Sequence, residues 1–283
     1  MSVIRLVADS TCDISPELTA RYKVYILPLT IVMGEQGYFD GMEARQKDIF
    51  KWVSEGNDIP KTAAVSIEQA IELLTPFAKA GDDTIFIGIS EKMSTTCNVI
   101  RLAANELGYE NIRIIDSEAV SAGTGLQVCK AGEMIKAGKS LDEIAQWLED
   151  HKSKVKTSFV VDTLEYLAKG GRCSSVTSLL ANTFHIKPMI AIQDGELKVL
   201  RKFRGSSRKV LKDYLKSLGD DFAHADTTRV FITHTCLDKE QAQWVKEEVN
   251  KLGIFEEIHV TEAGGVISSH CGPNTLGVLF YQV

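Results

Sequence analysis

The residue types best suited to chemistry gather in short runs between apolar segments. Near the C-terminus, Gly264-Gly265-Val266-Ile267-Ser268-Ser269-His270-Cys271-Gly272-Pro273 sets an imidazole and a thiol beside two hydroxyls. Paired glycines and a Gly-Pro turn suit a rigid loop better than a core segment, so the imidazole is expected to be presented rather than packed away. Thr62 and Ser94-Thr95-Thr96 add hydroxyls, and Asp9-Ser10-Thr11-Cys12-Asp13 adds hydroxyls and two carboxylates. All three also read as helix caps, because Ser, Thr and Asp satisfy the free N–H groups of a first turn. A hydroxyl-bearing helix start is equally suited to an anion, since unpaired N–H groups and the helix dipole both favour negative charge there. Arg172 follows Gly170-Gly171, a helix-stopping pair, while Lys202 and Arg204 alternate at the end of a strand and so share a face. Together these three cations suit a phosphate-bearing substrate or an acidic partner surface.

Three catalytic or recognition chemistries compete for these groups. Ser94 with His270 could be a nucleophile and base, and Cys271 a thiolate activated by its neighbour, as in a hydrolase or acyl transferase. A working triad also needs an orienting acid and an oxyanion hole, and spacing identifies neither. A phosphate loop of the GxxxxGK[ST] kind is absent, and Gly123-Thr124-Gly125-Leu126-Gln127-Val128 has valine where a dinucleotide fingerprint needs its third glycine. With 32 basic and 38 acidic side chains the net charge is −6, and no helix has a basic face, so nucleic acid is not an expected partner.

The composition bounds the architecture that must position these groups. With 283 residues, 44% hydrophobic and 25% charged, the chain can bury a large core, and two domains are expected, one large domain being the alternative. The six cysteines form no CxxC pair, so neither a zinc site nor a disulfide framework is expected, no cofactor is implied, and reduced thiols in the cytoplasm are the simplest reading. The strand-like start lacks a signal peptide, and no apolar run reaches membrane-spanning length.

Hydrophobic periodicity predicts strands at 3–8, 84–89 and 112–115, an extended run at 24–32 interrupted by Pro28, and helices at 42–55, 68–80, 95–107, 121–137 and 141–154. Residues 60–66 read as a loop. Strands separated by such helices imply βαβ units and a mostly parallel sheet. After about residue 156 the pattern changes: short strands at 159–161, 229–233, 257–261 and 276–282 mix with helices at 164–169, 174–184, 206–217 and 239–251. Asp194-Gly195 joins the runs 187–193 and 196–203 as a hairpin, because both turn positions tolerate positive φ. The expected fold class is therefore α/β in two domains: a mostly parallel α/β domain over 1–156 and an α+β domain with a mixed sheet over 157–283.

In order along the chain, Val7-Ala8-Asp9-Ser10-Thr11-Cys12-Asp13-Ile14, Ile89-Ser90-Glu91-Lys92-Met93-Ser94-Thr95-Thr96, Asp162-Thr163-Leu164-Glu165-Tyr166-Leu167-Ala168-Lys169-Gly170-Gly171-Arg172, Lys187-Pro188 and Ser268-Ser269-His270-Cys271-Gly272-Pro273-Asn274-Thr275-Leu276-Gly277 resemble the DegV family of bacterial fatty-acid-binding proteins. That family includes the binding subunits of fatty acid kinase. The resemblance covers essentially the whole chain and implies a long-chain fatty acid held between two domains, with no chemistry performed by the chain alone. It implies carboxylate contacts from Thr62, Ser94, Thr95, Ser269 and His270, and a partner kinase facing Arg172, Lys202 and Arg204. The acyl chain is expected along the apolar faces around Leu164, Leu167, Leu179, Phe184, Ile190 and Ile192, with transient membrane contact compatible with such a role. The sequence departs from the family pattern at Ala63-Ala64-Val65, where Ser-Gln-Pro is common, and at Thr95-Thr96, where Gly-Thr is common. Physically, about 0.8 kcal/mol per buried methylene gives a tail of roughly fourteen on the order of 10 kcal/mol before association costs. A carboxylate leaving water needs hydrogen-bond donors, which hydroxyls and an imidazole supply.

Overall fold

A computed structural model describes residues 3–173 and 186–283. The first half is built on β1 (Ile4–Asp9), α1 (Pro16–Tyr22), β2 (Tyr25–Leu27), β3 (Thr30–Met33), β4 (Gln36–Phe39), α2 (Gln46–Ser54), β5 (Lys61–Ala63), α3 (Ile67–Ala80), β6 (Asp83–Gly88), α4 (Thr96–Glu106), β7 (Ile112–Asp116), α5 (Ala122–Lys136) and α6 (Leu141–His151). Strands β2-β1-β6-β7 form a parallel sheet in that order. Their period of two sorts side chains between two covered faces. Val7 and Phe86 point to the face under α3 and α4 with Leu74, Phe77 and Ile100, whereas Leu6, Ala8, Ile85 and Ile87 meet Leu126, Ile144 and Leu148 of α5 and α6.

The second half contains β8 (Val155–Val160), α7 (Glu165–Gly170), β9 (Lys187–Gln193), β10 (Glu196–Phe203), α8 (Ser207–Ser217), α9 (Gly219–Phe222), β11 (Ala225–His234), α10 (Lys239–Asn250), β12 (Glu257–Glu262), α11 (Gly265–Cys271) and β13 (Leu276–Gln282). Its six strands pair in the order β10-β9-β8-β13-β11-β12. The β11–β12 pair is parallel and the others are antiparallel, so the sheet is mixed as expected. Asp194 and Gly195 take φ of 52° and 74° at the β9–β10 turn, which is the conformation that made Asp-Gly a hairpin signal. The helix expected at 174–184 lies outside the described residues. Strand β8 begins at Val155 and already belongs to the second sheet.

Several segments differ from expectation. The run 24–32 divides into β2 and β3 on either side of Pro28, and the loop expected at 60–66 contributes β5; β4, β3 and β5 form a small antiparallel sheet. Helix α2 starts at Gln46 rather than at residue 42, because residues 41–44 fold back through bonds to Phe39 and Ala44 carbonyls. The loop expected around Ser269 and His270 is helical: α11 begins at Gly265 and carries both residues. Composition misled here because glycines at the two ends, not the middle, do the turning.

Helix α5 lies between the two sheets, and its successive buried residues from Ala122 to Cys129 meet neighbours on all sides. This explains Gly123-Thr124-Gly125 without a nucleotide. A Cβ at Gly125 would lie 2.5 Å from the Cys12 carbonyl oxygen and 2.7 Å from Ile14 Cγ2. Helix propensity alone would favour alanine there by about 1 kcal/mol. Overpacking against backbone costs about 1–3 kcal/mol and should dominate. Gly125→Ala is therefore expected to lower the urea midpoint of unfolding, and a raised midpoint would refute the close-approach account.

Candidate functional site

The C-terminal ends of β1, β6 and β7 converge where the second sheet approaches, the usual place for a ligand in an open parallel sheet. Here a cavity of about 880 Å³, counting the part open to solvent, is lined from both halves of the chain. Its walls are mainly apolar: Ile89, Val120, Phe159, Leu167, Leu197 and Ile267 all line it and belong to one buried cluster.

Polar groups occupy limited positions on that surface. Thr62 Oγ1 lies 2.8 Å from His270 Nε2, which joins the small antiparallel sheet to α11. Burial, reinforced by the positive charge of Arg172, lowers the His270 pKa from 6.5 to about 4, so the ring is neutral near pH 7. With the proton on Nε2, the imidazole donates to Thr62 and leaves the threonine hydroxyl proton available to an acceptor in the cavity. Nδ1 is buried without a partner. A Cβ at Gly170 would overlap Nδ1, so the end of α7 must be glycine to pass the ring this closely. Arg172 is exposed, lines the cavity, and donates from Nη1 to the Gly170 carbonyl at 2.8 Å.

Helix α11 is held at its other end by carboxylates from the first half of the chain. Gly264 N–H donates to Asp13 Oδ1 and Gly265 N–H to Asp40 Oδ1, each at 2.7 Å. Asp40 Oδ2 accepts from Ser10 at 2.8 Å, and Asp13 Oδ2 accepts from the Ser121 hydroxyl. Asp9, behind them, accepts from Ile89 N–H at 2.8 Å and from Thr11. Desolvation first, opposed by these hydrogen bonds, raises Asp13 to about 8 and Asp40 to about 6. Ser121, which lines the cavity, has φ 55° and ψ −145°, a region ordinarily taken by glycine. A chain of contacts thus runs from the cavity wall through Ser121 and Asp13 to the helix that carries His270.

The residues expected at the head group divide into two sets. Thr62, Ser94 and His270 line the cavity. Ser94 Oγ pairs with Thr96 Oγ1 at 2.9 Å rather than with His270. Thr95 is exposed and does not line the cavity, while Ser269 is buried behind it and donates to the Gly265 carbonyl at 2.9 Å. Of the expected tail residues, Leu167 lines the cavity, and Leu164 and Ile190 pack in the cluster behind its wall. Ile192 instead lines a surface depression with Lys152 and Gly195. Leu179 and Phe184 lie outside the described residues. Lys202 and Arg204 are exposed at the end of β10 and beyond it, away from the cavity lining.

Sequence reading did not anticipate Ser121, Thr233, His234 and Thr235 in the lining, nor Asp40 at the helix start. Their only sequence signal was position at the ends of strands, which many residues share. The hydrolase reading lacks its parts among the described residues: His270 Nε2 is taken by Thr62, no carboxylate bonds Nδ1, and burial pushes the Cys271 thiol up to about 12. No group of three or more His, Cys, Asp or Glu among the described residues is placed to hold a metal, and no described helix is long and apolar enough to cross a membrane.

The buried acids give a pH prediction whose sign follows from linkage. Asp13 and Asp40 hold protons in the folded state that the unfolded chain has lost. Their contribution to stability is complete below the ordinary value of 3.8 and disappears as pH rises through about 6 for Asp40 and about 8 for Asp13. His270 acts oppositely, removing stability as pH falls from 6.5 toward about 4. Thermal melts followed by circular dichroism should show the melting temperature decreasing between pH 6 and 9, with a shallower decrease in Asp13→Asn. Parallel pH profiles for the two proteins would contradict the assignment.

The family model described as "Uncharacterised protein, DegV family" matches residues 3–283. A DegV domain-containing protein of Caldanaerobacter subterraneus is 32% identical over the full length of both chains. A DegV family protein from Thermus thermophilus, described by its fatty acid binding, superposes with a TM-score of 0.92 at 30% identity and full coverage of both chains. DegV of Bacillus subtilis, described as a fatty acid binding protein, superposes with a TM-score of 0.88 at 27% identity, again with full coverage of both. A stearic-acid-binding protein from Eubacterium ventriosum gives a TM-score of 0.87 at 25% identity, covering 100% of this chain and 98% of its own. From a family-model match over residues 3–283 and a fold shared over its whole length, this chain belongs to the DegV family.

Proposed function

We propose that this chain binds a long-chain fatty acid inside the cell, encloses the acyl chain in the cavity and meets its carboxylate at Thr62, Ser94 and His270. The observation that carries this reading is an apolar enclosure with a neutral hydroxyl–imidazole pair in its wall. The tail provides affinity at about 0.8 kcal/mol per buried methylene. The head group requires donors, and leaving one unpaired would cost roughly 1–3 kcal/mol or more. Uncharged donors satisfy the carboxylate without neutralising it, which preserves its ability to accept a phosphoryl group. The described ligands of the Thermus, Bacillus and Eubacterium relatives support the same ligand class.

On this reading the chain is a carrier and not a catalyst. Arg172 at the cavity mouth, with Lys202 and Arg204 on the exposed end of the β9–β10 hairpin, would engage a kinase that phosphorylates the bound carboxylate. Phosphoryl transfer would form a new P–O bond to the carboxylate oxygen as the nucleotide's leaving-group P–O bond breaks, producing an acyl phosphate.

Denaturing extraction of the purified protein followed by lipid mass spectrometry should recover a long-chain fatty acid near one equivalent, and a lipid-free extract that also resists reloading would refute the reading. His270→Ala should leave the melting temperature within a few degrees while lowering acyl retention at least tenfold, the scale of a lost hydrogen bond to charge. Replacing Lys202 and Arg204, which lie away from the cavity lining, by glutamate should preserve retention and abolish pull-down of the kinase.

A further inference from the structure

A second concavity lies across the start of two helices and is built from different chemistry. It is an open groove of about 1110 Å³, counting the part open to solvent, between the N-terminus of α2 and one face of α10. Arg45, Lys47, Lys239 and Lys246 line it. No ion pair joins any of these four to a described residue. On a chain of net charge −6, that is a local reversal.

The cations sit where helix electrostatics alone would disfavour them. Arg45 is the N-cap of α2, Lys47 its second residue, and Lys239 the first residue of α10. These are the positive ends of two helix dipoles, where acids are favoured and cations are not. One acid, Glu262, also lines the groove and accepts from Gln46 Nε2, while Asp48 Oδ2 accepts from Arg45 N–H and Asp238 Oδ1 from Glu240 N–H, so four cations face a single carboxylate in the lining. Lys239, Ala242, Gln243 and Lys246 recur at helical spacing, so α10 presents one face to the groove. Gln46, buried, ties the two sides together by accepting from Cys236 N–H at 2.8 Å.

A separate observation concerns a histidine in the same lining. His234 lines the groove, is 9% exposed, and bonds no described residue through either ring nitrogen, with Nδ1 fully buried. Buried polar groups are nearly always satisfied, so an unpaired imidazole requires explanation. His234 also lines the acyl cavity, and the linings of the two spaces meet at this residue.

We propose that the groove between α2 and α10 is a binding site for a phosphate-bearing small molecule, held by Arg45, Lys47, Lys239 and Lys246 over His234. A phosphate presents several acceptor oxygens and up to two charges at one centre, so it can accept from lysines, an arginine and helix N–H groups simultaneously. The site is chemically distinct from the acyl cavity, and it stands or falls independently of which lipid fills that cavity.

Isothermal titration at fixed ionic strength tests the site with two probes. Inorganic pyrophosphate represents the free oxyanion, and glycerophosphoglycerol represents a lipid headgroup without acyl chains. Saturable 1:1 binding of either is expected; the tighter probe identifies the source. Affinity should weaken at least tenfold in Lys239→Glu/Lys246→Glu and in Arg45→Gln/Lys47→Gln. It should be unchanged in Lys79→Glu/Lys216→Glu, which matches the charge change of the first pair at exposed positions elsewhere. Failure of both probes to saturate overturns the proposal. So does an equal loss in the Lys79/Lys216 variant, which would reduce the effect to overall charge, or full affinity in both groove variants.

Discussion

The position of one short helix governs the site. Helix α11 has seven residues, too few to be stable through its own hydrogen bonds, so its placement depends on what grips its ends. Asp13 and Asp40 hold its first N–H groups, and Thr62 meets His270 near its last turn. Both grips cross from the first half of the chain to the second. The acyl cavity is therefore a consequence of closure between two sheets, with α11 as the fastened piece.

That fastening explains an expensive choice. Burying acids raises their pKa because the charged form loses water, and three lie together here in Asp9, Asp13 and Asp40. Backbone N–H groups and the hydroxyls of Ser10, Thr11 and Ser121 offset part of that cost. The paired glycines have a corresponding role. A Cβ on Gly264 would come within 3.1–3.3 Å of the Asp13 and Asp40 oxygens, and one on Gly265 within 2.5 Å of Ile31. Glycine permits the close approach that the carboxylates need.

Much of the fold was legible because it depends on local rules. The apolar run at 3–8 marked β1, and Asp194-Gly195 announced its hairpin by the backbone angles it tolerates. Where local rules failed, long-range contacts had decided. Residues 61–63 became β5 because β3 offered an edge, and Gly123-Thr124-Gly125 served close packing of α5 between sheets. The tail residues were harder still. Leu164, Leu167 and Ile190 are all apolar and all buried, yet only Leu167 of the three lines the cavity.

Residue chemistry alone determined an α/β chain with hydroxyls, an imidazole and acids at strand ends, and motif order pointed to the DegV family. Tertiary structure decided which of those groups meet: Thr62 with His270, separated by 208 positions, and Asp13 with Gly264, separated by 251. The physical reason is range. Backbone preference and periodicity act over a few residues, while hydrogen bonds between distant parts of the chain depend on how whole sheets and helices come to rest against one another.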